Sequence, residues 1–160
     1  SLNLTQLARH VRRALDAGAH GVFCGGTNGE FYIQSHEERL AVVDAVVAEV
    51  AEAVPVVAGA GCIGTRDTVR LAQAMAERGA DMLSVISPYF AAASQAELIA
   101  HFTAVADAVD IPVMVSADAH RCPNVKRNFP AAYDLMARAG YDPDTRWRFN
   151  RRQRLTSRRA

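Results

Sequence analysis

Four short apolar runs recur along the chain: "HGVFC" at 20–24, "PVVAGA" at 55–60, "DMLSVIS" at 81–87 and "IPVMVSA" at 111–117. Each is separated from the next by a stretch with helical periodicity, and this alternation limits the fold more than any other feature. Runs that are apolar at nearly every position belong to strands buried on both faces, which is the habit of a parallel sheet with helices packed on it. The spacing predicts a first helix over 4–17, with Leu4, Leu7, Val11, Ala14 and Leu15 on one face and Gly18 as its stop. Ser35 with Glu38, and Ser94 with Glu97, have capping-box spacing. They predict helices over 36–53, ended by Pro55, and from 95 to about Val109. Thr65 is expected to cap a helix that runs to about Arg78 and closes at Gly79. "NFPAAYDLMARAG" predicts one more helix, ended by Gly140, with a short strand near 145–149.

The expected class is α/β, with parallel strands alternating with helices and right-handed crossovers. Two architectures fit: a partial (β/α) barrel, or an open flavodoxin-like sheet. A complete barrel needs about 200 residues or more, so 160 residues with four clear strands make about half of one. The expected organisation is a single α/β domain over 1–145 and a basic tail over 146–160. That tail holds seven arginines and no acid, which leaves 11 basic against 17 acidic residues elsewhere. With only Trp147 and Phe149 available for stacking, a solvated end is favoured over a nucleic-acid surface. No run approaches the roughly 20 apolar residues of a membrane span, and no signal-peptide pattern opens the chain. The first residue is Ser rather than Met, so the start reads as an edge or a processed end. Three cysteines, Cys24, Cys62 and Cys122, match no zinc spacing, and their odd number argues against a disulfide framework and for a reducing cytoplasm.

The chemistry concentrates at strand ends, where both architectures bind ligands. "CGGTNGE", 24–30, follows the first strand. Its glycines let a ligand approach the backbone, and its free N–H groups can nest an anion. The Thr27 hydroxyl and the Asn28 amide add donors suited to a carboxylate. The same residues also read as a plain glycine turn. The stretches "GVFCGGTNGEFYIQSHEERLAVVDAV", "VPVVAGAG", "TRDTVRLAQAMAERGADMLSVISPYF" and "SQAELIAHFTAVADAVDIPVMV" resemble, in order and spacing, the dihydrodipicolinate synthase and N-acetylneuraminate lyase family. That resemblance implies a (β/α)₈, or TIM, barrel. It also implies a lyase that joins a lysine to pyruvate or a related 2-oxo acid as a Schiff base and then makes or breaks a carbon–carbon bond. By position, Thr27 and Asn28 would hold the carboxylate, and Tyr89 and Phe90 match the family's "PYY" pair. Phe90 lacks the hydroxyl that serves a proton relay there. The alignment starts at the family's first helix, so its first strand has no counterpart. Ser116 stands where the family's catalytic tyrosine belongs. The only lysine, Lys126, sits ten residues further on in "RCPNVKRNF", which reads as an exposed loop. No residue is therefore assigned as catalytic, and the chain is expected to be inactive as it stands.

"VMVSADAH", 113–120, ends its strand in another style. With "NFPAAYDLMARAGY" after it, the segment resembles the carboxyl end of the polymerase-and-histidinol-phosphatase (PHP) family of metal-dependent phosphoesterases. By position, Asp118 and His120 would be metal ligands for a divalent ion. Asp and His two residues apart can converge on one metal. A catalytic site needs further ligands, yet His10, His36 and His101 lie on predicted helices and His20 precedes a strand. An ordinary polar strand end is the other reading. The pairing of resemblances suggests a chimera, 1–112 aldolase-like and 113–145 PHP-like. Expected partners are a small 2-oxo acid and further copies of the chain, since a partial barrel leaves strand edges that invite self-association. No cofactor is expected unless the PHP-like segment holds a metal.

Overall fold

The computed structural model describes residues 2–114 and 129–138. Ser116, Asp118, His120, Cys122, Lys126, the strand expected near 145–149 and the basic tail lie outside the described residues. The elements run α1 (Leu4–Asp16), β1 (Val22–Cys24), α2 (His36–Val50), β2 (Val56–Gly59), α3 (Thr65–Glu77), β3 (Met82–Ser84), α4 (Gln95–Asp107), β4 (Val113–Met114) and α5 (Phe129–Arg138). Two 3₁₀ turns, Thr27–Gly29 and Phe31–Ile33, fill the space between β1 and α2.

The strands form one parallel sheet in the order β1-β2-β3-β4, with Phe23 beside Val57 and Val57 beside Met82. Sequential order is the decisive fact. Successive right-handed crossovers that always step the same way place every helix on one face of the sheet. A flavodoxin-like sheet instead reverses direction, in the order 2-1-3-4-5, and carries helices on both faces. Helices pack here in a single row, α1 on α2, α2 on α3 and α3 on α4. The open-sheet alternative is thereby excluded, and the described strands are a segment of a (β/α) barrel wall.

Side-chain alternation divides the sheet. Cys24, Val56, Ala58 and Leu83 point to the helices and are buried with Val43, Val46, Leu71, Met75 and Val105. The other face would be the barrel interior, and it is open: Phe23 is 53% exposed, and Val57, Met82 and Met114 are partly exposed. Asp81 anchors the start of β2, because its carboxylate accepts the Val56 N–H at 2.9 Å while its own N–H donates to the Val56 carbonyl at 2.9 Å.

Both capping boxes form as expected at Ser35–Glu38 and Ser94–Glu97. Two boundaries differ from the expectations. α2 ends at Val50, well before Pro55, because Ala51 (φ 46°) and Glu52 (φ 62°) turn left-handed. Thr65 does not cap α3: the N-cap is Gly64, without a side-chain bond, and the Thr65 hydroxyl instead meets His101 Nδ1 at 2.8 Å. Of the last apolar run, residues 111–114 are described, and they include the strand Val113–Met114. No described helix is long and apolar enough to cross a membrane.

Candidate functional site

The carboxyl ends of the strands surround a cavity of about 350 Å³, lined by Gly25, Gly26, Thr27, Gly59, Ser84 and Met114 among others. Its floor depends on two glycines. Gly25 has φ +73°, which side chains rarely adopt. A Cβ on Gly59 would collide with the Gly25 carbonyl oxygen, so β1 and β2 approach at their ends more closely than any other residue type permits. Beyond Gly25 the chain winds into the first 3₁₀ turn. The Gly29 N–H donates to the Gly26 carbonyl at 2.9 Å, and the Glu30 N–H donates to the Thr27 carbonyl at 3.0 Å. The Gln34 side-chain amide closes the loop by donating to the Gly29 carbonyl at 2.8 Å.

Thr27 and Asn28 are consecutive and exposed. Both line a groove of about 870 Å³ between β1 and α1, together with Leu7 and His10, and Thr27 also lines the strand-end cavity. Neither the Thr27 hydroxyl nor the Asn28 amide hydrogen-bonds another described residue. Tyr89 lies outside both spaces. It lines a hollow of about 460 Å³ with Thr65 and His101, and its ring stands edge-on to the cavity-lining Phe31 at 6.3 Å. Phe90 is fully exposed with φ +81°, an uncommon backbone state for an aromatic residue. Among the described residues no group of three His, Cys, Asp or Glu could hold a metal.

Two polar residues under this surface were not anticipated. Arg39, only 5% exposed, donates from Nη2 to the Gly59 carbonyl at 2.7 Å and the Gly61 carbonyl at 3.1 Å, and its guanidinium lies 5.0 Å from the Phe31 ring centre. It ties α2 to the end of β2. In "SHEERL" it reads as one more solvated charge, and only its spacing of three and four from the apolar Val42 and Val43 hints that it faces inward. His101, 2% exposed, is held by Thr65, and burial pushes its pKa below the ordinary value. Cys24 is likewise buried, and that burial raises its thiol to about 11.

The chain is 46% identical over 115 residues to an uncharacterized DapA-like lyase of Halobacterium salinarum, a match that covers 72% of this chain and 38% of the relative. It is 41% identical over 112 residues to the 4-hydroxy-tetrahydrodipicolinate synthase of Mycolicibacterium gilvum, covering 70% and 37%. The chain thus spans under two fifths of the length of these relatives. Among solved structures, it superposes on the 4-hydroxy-tetrahydrodipicolinate synthase from Methylacidiphilum fumariolicum with TM-score 0.76 at 25% identity, covering 86% of this chain and 45% of that one. It also superposes on a prophage protein of the dihydrodipicolinic acid synthase family from E. coli K12, solved in complex with pyruvate, with TM-score 0.69 at 38% identity, covering 71% and 38%. The model of the Dihydrodipicolinate synthetase family matches residues 1–121. The match runs past 112 and takes in Asp118 and His120, the two residues that the chimera reading assigned to a second family. On sequence order, sheet order and this continuous match, the chain belongs to the dihydrodipicolinate synthetase family.

Proposed function

We propose that this chain carries the carboxylate-holding part of a 2-oxo acid lyase and does not complete the covalent step by itself. The observation that carries the reading is the pair of unpartnered donors, the Thr27 hydroxyl and the Asn28 amide, which share one groove on a glycine loop beside the end of β1. A carboxylate accepts hydrogen bonds only, so it satisfies such donors, and bonds to an ionised acceptor are the stronger kind. Pyruvate bound to the solved relative is consistent with a small 2-oxo acid as ligand. Schiff-base formation further requires a neutral lysine amine to attack the ketone carbon, with water leaving. The sequence offers Lys126 alone, away from the family's lysine position, and Ser116 where a phenol is needed. The phosphoesterase alternative rests on Asp118 and His120, and the family match through residue 121 gives it no separate segment.

The test has two arms. Saturation-transfer NMR should show pyruvate contacting the protein, with the signal lost in T27V and N28A. Borohydride added with pyruvate should leave the intact mass unchanged. A covalent adduct would mean a working lyase, and a missing pyruvate signal would remove the cradle. The open interior face at Phe23 and the outer edges of β1 and β4, unpaired among the described strands, support self-association. Light scattering on the purified chain should therefore give a mass above that of a monomer.

A further inference from the structure

We propose that Cys62, His36 and Arg39 form a reactive-thiol site, in which Cys62 is oxidised by peroxides in preference to the other described cysteine. Cys62 lies just past β2 and is free. Its Sγ is 3.7 Å from His36 Nε2 and 3.5 Å from Arg39 Nη1, and its backbone N–H is fixed by the Thr68 hydroxyl at 3.1 Å. His36 and Arg39 are three apart on α2, so one helix face presents both to the sulfur. Arg39 is the unusual member. It is 5% exposed, makes no ion pair with a described residue, and its Nε has no hydrogen-bond partner. A buried cation without a counter-charge is costly, and negative charge that builds on a neighbouring sulfur relieves that cost. Cys62 is 9% exposed, and the His36 beside its sulfur is exposed, so the sulfur lies a single side chain from solvent.

The arrangement is that of a nucleophile with a base beside it and a cation facing it. Cys62 Sγ attacks one oxygen of hydrogen peroxide while His36 Nε2 takes the thiol proton. An S–O bond forms and the O–O bond breaks. The departing hydroxide regains the proton as water, so the sulfur is oxidised by two electrons to a sulfenic acid and the peroxide is reduced. Cys24 provides the internal contrast. Both cysteines belong to the apolar cluster and both direct Sγ at a carbonyl at 3.7 Å, Cys24 at Val57 and Cys62 at Ala60, but no hydrogen bond from a described histidine or arginine reaches the Cys24 sulfur.

The test uses the full chain, hydrogen peroxide and a dione that traps sulfenic acids, followed by trypsin and mass spectrometry. Cleavage after Arg13, Arg39 and Arg66 puts Cys24 and Cys62 on separate peptides, and in R39M, which loses the middle cleavage, fragment ions assign the tag to one cysteine or the other. In the folded protein Cys62 should be trapped about a hundredfold faster than in the urea-unfolded chain, the low end of what a positioned base supplies. Cys24 should be trapped more slowly folded than unfolded. H36Q, at an exposed position, and R39M should each return Cys62 towards its unfolded rate. If R39M does not fold, H36Q decides. A folded Cys62 no faster than the unfolded one, or an unchanged rate in H36Q, would overturn the proposal.

Discussion

Gly59→Ala tests how the strand ends build the mouth. The new methyl would meet the Gly25 carbonyl oxygen, with the Gly25 carbonyl carbon at 2.8 Å and the Cys24 carbonyl oxygen at 3.4 Å. All three obstacles are backbone, so no side chain can swing aside. Gly59 also sits in register with Ser84 of β3, and its carbonyl accepts from Arg39, so it cannot retreat without loosening both. Overpacking of this kind costs about 1–3 kcal/mol. Against it stands the lower unfolded-state entropy of alanine, which returns about 0.4–1 kcal/mol. The net expectation is a loss of about 1–2 kcal/mol. With a urea m-value of about 1.5 kcal/mol/M, the midpoint should fall by about 1 M. Gly29→Ala is the matched control, because a Cβ there meets nothing within 4 Å. Chemical denaturation followed by circular dichroism reads both variants. A G59A midpoint equal to or above wild type, at unchanged m, would refute the claim that this approach requires glycine.

Three further outcomes follow from the same structure. Ser35→Ala and Ser94→Ala each remove one capping box and should cost about 1 kcal/mol in urea titrations. Leu71→Ala empties a 1% exposed position between helix and sheet, and calorimetry should show a loss of about 2–5 kcal/mol. Burial lowers the His101 pKa below its ordinary value, so the folded state resists protonation more than the unfolded chain does. Its share of stability is therefore full above about pH 6.5 and declines as pH falls from there towards the folded pKa. His101→Gln should flatten stability against pH in that window, and an unchanged slope would show that His101 is not the group responsible.

The barrel wall was legible because its determinants are local. Apolar runs of strand length, Ser-x-x-Glu caps and glycine stops act within a few residues, and both capping boxes form where their spacing puts them. Strand order is a different kind of fact. Periodicity alone left an open sheet and a barrel equally consistent, since the two differ only in which edge each new strand joins. The start of α3 was misplaced because a tertiary contact overrides a local preference. Thr65 has the chemistry of a cap, yet its hydroxyl goes to a buried histidine from α4. Nothing within several residues of Thr65 could announce that partner.

The site divides along the same line. The loop at Gly25–Gly29 could be found from sequence because glycines and small donors cluster in one short stretch. Arg39 could not, because a buried arginine and a surface arginine look alike until the carbonyls that receive it are in place. Gly59 and Gly61 present their carbonyls to Arg39 because β2 lies beside β1 and α2 packs over both. The guanidinium then fixes from behind the strand end that Gly25 approaches from the front. The cradle is thus held from two sides, by a steric demand for glycine and by a buried cation bound to carbonyl oxygens. A change at either residue should reach Thr27 through the same few peptide groups, although neither side chain touches it.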